Sequence, residues 1–382
     1  MMINRDVQAT SAEVVIVGGG IMGCALAYDL ACRGVEVLLL ERRELAREAS
    51  WASAGIISPP GPRYGTKADL ALRSFQRYRG LVEEVEQISG IATGWVNRGI
   101  VNVATAENEE TLHETMRWQQ EHGLNAVWLD ADALRRREPA LRVNDQSMGE
   151  SIIGGVLNVQ SSSLLLGEFA RGLARAAGAR GATIREHTPV LNIEKSGSRA
   201  TGVRTIDGTI QAGTVVIAAG AWSRQFSSAV GLTLPTRPVR GQMIAIADAP
   251  IPITGVIQGM GGYLVPRADG TVAVGATEEH NAGFVAQVTP AGIDWLIALI
   301  DRLTPSLNDG RLVSLWAGLR PASDDEELIV GRVPALDNVW VCTGHFRSGA
   351  LLAPATSEWL AESIVSGSVL PQLAAFDPGR FA

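Results

Sequence analysis

Residues 14–41 read VVIVGGGIMGCALAYDLACRGVEVLLLE, and this stretch decides the fold. Val14 to Val17 form a short apolar run of the kind a buried parallel strand requires. Gly18, Gly20 and Gly23 follow in G-x-G-x-x-G order. Gly18 allows a tight turn out of the strand, Gly20 lets the backbone approach a pyrophosphate, and Gly23 lets the next helix pack close to the sheet. That helix is predicted over Ile21–Arg33, with Gly34 as its stop. Val35 to Leu40 read as a second strand ending at Glu41. Free N–H groups and a partial positive charge at the helix start favour a diphosphate there. Glu41 stands where a carboxylate can accept both hydroxyls of an adenosine ribose, which disfavours a 2′-phosphate and so NADP. The order strand, glycines, helix, strand, acid predicts a dinucleotide site in an α/β fold. The rival reading is a glycine-rich turn in an ordinary α/β core.

The 382 residues suffice for a large core and two closely joined domains. The chain is 46% hydrophobic and 19% charged, ordinary for a globular enzyme. No apolar run reaches the about 18 residues of a membrane span. Residues 1 to 12 are polar without a signal-peptide pattern, so the cytoplasm is the expected compartment. A net charge of −7 argues against nucleic acid or an anionic membrane as main partner. Cys24, Cys32 and Cys342 are too few and scattered for a disulfide framework or zinc site. Cys24 and Cys32 fall on the first helix as small core residues, and no metal site is expected.

Beyond Glu41, residues 47–65 read REASWASAGIISPPGPRYG, small residues with a proline-rich exit. Such a segment suits backbone pressed against a flat ligand, with Ser50 and Ser53 able to donate to phosphate oxygens; a plain surface loop is the rival. Helices are expected over 67–89, 107–122 and 130–138, and a strand over 95–104. Ser161 to Ser163 can cap a helix running to Ala177, with Gly178 ending it. Strand-like residues follow over 183–194, where Val190 has backbone groups to offer an adenine edge. The run VVIAAGAWSRQF, residues 215–226, ends a buried strand at Ala219-Gly220-Ala221 and turns at once into a helix, an edge that can abut a dinucleotide. Strands are then read at 237–246 and 312–319, the second running into Arg320-Pro321. A hairpin joins 262–266 to 271–275. A helix over 289–303, short strands at 328–331 and 339–343, the loop GHFRSGALLAP (residues 344–354) and a helix from about 356 to 365 complete the chain.

Seven pieces in this order, VVIVGGGIMG, LLLERR, EASWASAGIISP, VVIAAGAWS, GGYLVPRADGTVAVGAT, AGLRPASDD and GHFRSGALLAP, resemble the FAD-dependent D-amino-acid oxidase superfamily nearly end to end. The likeness is greatest to its glycine oxidase branch, with monomeric sarcosine oxidase a neighbour. It implies a glutathione-reductase-type, Rossmann-like FAD domain (13–60, 150–225 and 335–368) interleaved with an α+β substrate domain (61–149 and 226–334) built on a large mixed or antiparallel sheet. On matching positions, FAD would touch Ile21 and Met22, with Glu41 on the ribose, Arg42 and Val190 near the adenine, and Ala49 and Ser50 at the pyrophosphate. Ala54, Gly55 and Ile56 would meet the flavin side, and Gly220 and Trp222 would border the cofactor. His345, Phe346, Arg347, Ser348, Gly349, Ala350 and Leu351 would wrap the flavin, with the last helix aiming its positive end at the ring.

The same resemblance places Arg320 on the substrate carboxylate, Arg347 beside it in the flavin loop, and Tyr263 as the aromatic that closes on the substrate. A guanidinium can hold a carboxylate by two parallel bonds, about 1.5–3 kcal/mol each. The rival roles are a salt bridge from Arg320 to Asp324, Asp325 or Glu326, loop bracing by Arg347, and a core position for Tyr263. Glu278 departs from the branch, which carries an apolar residue after VGAT; it either pairs with the substrate amine or points to solvent. The surroundings of Cys342 do not match the covalent-flavin cysteine of sarcosine oxidases, so FAD is expected to bind noncovalently. The implied reaction is oxidation of glycine or sarcosine: hydride passes from Cα to flavin N5, the imine hydrolyses to glyoxylate, and O2 becomes hydrogen peroxide. The resemblance also implies a homotetramer and a role in supplying the thiamin thiazole. Two other readings stay open. One is an FAD-dependent D-amino-acid or proline dehydrogenase delivering electrons to a quinone or partner subunit. The other is a flavin subunit of an RNA-modifying or cyanide-forming assembly, with charge and length speaking against RNA.

Overall fold

A computed structural model describes residues 10–145, 147 and 150–382. The expectation drawn from residues 1–9, and the domain boundary expected at 149, lie outside the described residues. Two large sheets organise the chain. The first has the order Ile329–Arg332, Val339–Thr343, Gly208–Ile217, Ser11–Val17, Val37–Leu40, Thr183–Arg185. Its five strands from Val339–Thr343 to Thr183–Arg185 run parallel. A hairpin of Asn192–Ser196 and Arg199–Thr205 is added to Gly208–Ile217. Ser11–Val17 sits in the middle, so its run Val14–Val17 is buried on both faces, as a central parallel strand must be.

The helix Ile21–Ala31 leaves that strand through the glycine turn and is buried along its whole length. It lies between the sheet and the helices Leu166–Ala179 and Gly349–Ser366, with Ala68–Ser89 packed behind them. Leu26 and Leu30 are fully buried, each contributing roughly 1.5–3 kcal/mol. The one carboxylate inside this layer, Asp29, is held by Arg77 and by Ser357 Oγ at 2.6 Å. Cys24 is buried within the helix, but Cys32, expected in the core, lies just beyond it and is exposed.

The second sheet has the order Arg311–Ser323, Thr236–Ala247, Val272–Gly275, Gly262–Pro266, Val256–Gly259, Ile100–Ala104, Gly154–Asn158, Ala126–Asp130. It is antiparallel except where Val256–Gly259 runs parallel to Ile100–Ala104. The helix Pro290–Leu303 covers one face through Leu296, Leu299, Ile300 and Leu303. The other face turns Met243, Ala276 and Tyr263 towards Ala52 and Ala54 of the nucleotide side. Gly154–Asn158, expected with the nucleotide domain, pairs with Ile100–Ala104 in this second sheet. Ile329–Arg332, expected with the substrate domain, pairs with Val339–Thr343 in the first.

Four local expectations are corrected. Ser162–Ser163 does not cap a helix; it pairs with Ile56–Ile57, and the helix starts at Leu166. The segment after Ala219 is a 3-10 turn, Gly220–Phe226, before a single α-turn. The strand expected at 312–319 extends over Arg311–Ser323 and takes in Arg320 and Pro321; Pro321 is tolerated because this strand is the sheet edge. The last helix begins at Gly349 rather than near 356, with Pro354 inside it. Proline has no N–H for the carbonyl four residues back, Ala350, and that carbonyl instead accepts from the Tyr78 hydroxyl.

Candidate functional site

A cavity of about 940 Å³ runs between the two sheets. Every residue expected to touch cofactor or substrate lines it except Gly23. Gly23 acts beneath the site: a Cβ there would lie 1.9 Å from Gly18 O, so only glycine lets the helix approach the turn. Gly18 takes φ +114°, a conformation side chains rarely adopt. A Cβ on Gly20 would meet only Ser50 Oγ, at 3.5 Å, and would otherwise project into the space a diphosphate needs. Ser50 Oγ accepts from Ile21 N–H at 2.9 Å, which leaves its own proton to donate.

Glu41 closes the far end of this cradle. Its carboxylate accepts from Gly19 N–H at 2.7 Å and Arg43 N–H at 2.9 Å, so its orientation is fixed from the backbone. Each oxygen keeps a lone pair for a ribose hydroxyl. Arg42 stacks over the Trp222 ring at 3.9 Å and pairs with Glu48 at 2.7 Å. Val190 reaches the same region from the loop between Thr183–Arg185 and Asn192–Ser196; Thr188 N–H donates to Glu41 O at 2.7 Å and anchors that loop.

The middle of the cavity is walled by the segment Ala49–Ile56 and by His345–Leu351. Gly55 must be glycine, because a Cβ would fall 1.8 Å from Leu164 O. The helix Gly349–Ser366 starts here with no side-chain cap and no acid in its first turn, leaving a positive helix end facing the cavity. His345 is buried, and among the described residues its ring nitrogens make no hydrogen bond of good geometry beyond an approach to the Thr343 backbone. Burial, with nearby Lys67, pushes its pKa down to about 3, so the imidazole is neutral. Cys342 also lines the cavity, but burial raises its thiol to about 12, too high for a thiolate nucleophile.

Arg320 and Tyr263 stand on the second-sheet side of the cavity. Arg320 lies flat over Gly241, whose ideal Cβ would be 2.5 Å from its Nη2, and its Nη1 donates to Thr277 O at 3.0 Å. No carboxylate pairs with it among the described residues. Its suspected partners are engaged elsewhere or apart from it: Asp325 takes Arg380 at 2.8 Å, and Asp324 lies 3.9 Å from Arg237. Tyr263 packs against Met243; burial raises its phenol pKa, with Arg320 opposing, so it stays neutral. Arg347 is mostly exposed at the cavity rim, where Nη1 pairs with Glu278 at 3.1 Å. Glu278 is exposed, also meets His280 at 3.0 Å, and does not line the cavity. Of its two readings the outward one fits, with Arg347 as its partner.

Sequence reasoning missed several lining residues: Tyr64, Lys67, Gln258 and Gly241. Tyr64 and Lys67 follow the proline-rich exit, where only folding shows that the chain turns back over the cavity. Gln258 sits on a strand whose alternation carried the only signal.

A parallel sheet with a diphosphate cradle, facing a mixed sheet that presents a guanidinium without a carboxylate partner, defines a dinucleotide-dependent oxidoreductase. The residues fit a flavin dinucleotide in particular. The cavity lies at the upper end of the usual ligand-site range of about 300–1,000 Å³; it has an open cradle at Gly20, a positive helix end, and, for a polar ring edge, a His345 with no side-chain partner among the described residues. The chain belongs to the FAD dependent oxidoreductase family, which it matches over residues 13–363. It is 32% identical over 97% of its length to a glycine oxidase of Pseudomonas putida, covering 98% of that protein. It is 34% identical over 97% of its length to a bifunctional protein ThiO/ThiG of Synechocystis sp., of which it spans 54%. The structure of glycine oxidase from Geobacillus kaustophilus superposes with a TM-score of 0.86 at 28% identity, covering 98% of this chain and 100% of that one. Among the described residues no helix is long and apolar enough to cross a membrane.

Proposed function

We propose that this chain oxidises small amino acids, glycine or its N-methyl form, using noncovalently held FAD and molecular oxygen. The amino acid, water and O2 give glyoxylate, hydrogen peroxide and the released nitrogen as ammonia from glycine or methylamine from sarcosine. FAD, when bound, supplies the two-electron acceptor. The protein supplies position and electrostatics. Gly18, Gly20, Ile21, Met22, Ala49 and Ser50 hold the diphosphate, and Glu41 holds the ribose. Arg42, Val190, Gly220 and Trp222 border the adenosine half. Ala54, Gly55, Ile56 and His345–Leu351 surround the ring, where the helix end at Gly349 favours negative charge. Arg320 binds the substrate carboxylate and fixes which face of Cα meets the ring. Tyr263, neutral and packed beside it, excludes water. Arg347 braces the rim through Glu278.

The observation that carries this reading is Arg320: a guanidinium lining the cavity, aligned by Thr277 O, with no carboxylate partner among the described residues. Names of the relatives support glycine as the substrate. We assign the strands of the first sheet and their helices to an FAD domain, and those of the second to a substrate domain. A homotetramer in the cytoplasm, serving thiamin thiazole formation, completes the proposal. A peroxide assay over glycine, sarcosine, D-alanine and L-proline tests it, together with Arg320→Ala. That change is expected to lower kcat/KM for glycine by roughly a hundredfold or more, from the loss of two charge-assisted bonds. Flavin reduction by these substrates without peroxide identifies a dehydrogenase instead.

A further inference from the structure

Gln258 has no role in the reading above, yet it lies in the same cavity. It belongs to the strand Val256–Gly259 and pairs directly across the antiparallel ladder with Tyr263. Directly opposed residues point to the same face, with Cβ atoms about 4.5–5.5 Å apart, so Gln258 stands beside Tyr263 on the cavity wall. Tyr263 in turn adjoins Arg320. Gln258 is half-buried, and its amide makes no hydrogen bond among the described residues. The other buried glutamines of the chain are engaged: Gln242 with Glu279 and Thr289, Gln119 with the carbonyls of Pro59 and Pro60. An amide with one face in a cavity and no protein partner has its donors and acceptor free for a ligand.

The surroundings decide which ligand group it takes. Around Arg320 and Tyr263 the cavity wall includes Gly241, Met243, Ala276 and Gly318. The carboxylates that line the cavity sit elsewhere: Glu41 and Glu48 beside the glycine turn and Arg42, Asp325 paired with Arg380, Glu327 paired with Lys67, and Glu326 exposed between those two. Among the described residues lining this end, Arg320 is the cation open to a carboxylate, Gln258 is a neutral amide and no carboxylate is present; Arg267, near Tyr263, is stacked over Trp316 and does not line the cavity.

We propose that Gln258 is the positioning residue for the substrate amine, its side-chain carbonyl accepting an amine N–H while Arg320 holds the carboxylate. This rests on the amino-acid oxidase reading. A neutral acceptor orients the nitrogen without stabilising its positive charge, which keeps the reactive free amine accessible near neutral pH. A carboxylate in its place would hold the ammonium form instead.

The test uses flavin-loaded protein and two ligands that differ in the amine: glycine, and acetate, which has a carboxylate alone. Gln258→Met is expected to lower kcat/KM for glycine about tenfold, the worth of one hydrogen bond of about 1.4 kcal/mol. The dissociation constant of acetate, read from the flavin absorption band, is expected to stay within about twofold. Gln258→Glu is expected to move the acid limb of the kcat–pH profile for glycine upward by about one unit or more. Glycine and acetate weakened alike, glycine unaffected in Gln258→Met, or an unmoved profile in Gln258→Glu overturns the assignment. A wild-type protein that yields peroxide from glycine while failing these tests leaves the oxidase reading standing. A wild type inert to every amine overturns both.

Discussion

At the scale of single residues the site depends on what is left without a partner. His345 is the sharpest case: buried, neutral, and with no side-chain partner among the described residues. Its folded pKa of about 3 lies below its ordinary value of 6.5. Between these values the unfolded chain binds the proton and the folded chain does not, so stability falls as pH drops from about 6.5 towards 3. His345→Gln is expected to flatten that slope by up to about 1.4 kcal/mol per pH unit, measured by urea unfolding across the window. An unchanged slope means that His345 is protonated in the folded state. Glu41 and the glycines were legible in the sequence because their chemistry is local: the turn, the helix start and the acid all fall within one βαβ unit. The Arg347–Glu278 pair was not, because its members are 69 residues apart and meet only after the two sheets close.

The elements show why similar glycines do different work. At Gly20 the backbone has φ −78° and a Cβ would have room, so Gly20→Ala is expected to fold normally but weaken FAD binding at least tenfold. At Gly23 a Cβ would collide with backbone, so Gly23→Ala is expected to cost roughly 1–3 kcal/mol of stability before any cofactor binds. Thermal unfolding without added FAD, set beside flavin titration, separates the two effects. The first helix also depends on Asp29. Asp29→Ala leaves the largely buried Arg77 without its anion and is expected to destabilise by about 3–5 kcal/mol in urea. The last helix marks a limit of sequence reading. Residues 344–354, Pro354 among them, read as a loop, and nothing nearby in the chain announced that Tyr78 would satisfy the carbonyl the proline leaves bare. Ser161 to Ser163 misled for a related reason: hydroxyl residues that suit a cap also suit a short strand, and pairing with Ile56–Ile57 decided the matter.

Across the whole molecule, two sheets divide the labour. The parallel sheet opens the glycine turn and Glu41 to the cavity at its carboxyl ends, where α/β folds place ligands. The mixed sheet turns Arg320, Tyr263 and Gln258 towards the same cavity. The parallel sheet was legible from short apolar runs and glycines. The mixed sheet was harder, because its strands come from two distant stretches and Gly154–Asn158 joins it from between them. The most direct measurement is anaerobic mixing of flavin-loaded protein with glycine while the flavin absorption is followed. The account predicts rapid bleaching in the wild type and bleaching slower by roughly a hundredfold or more in Arg320→Ala at subsaturating glycine. A flavin that no small amino acid bleaches, or one that bleaches equally fast without the Arg320 guanidinium, contradicts it.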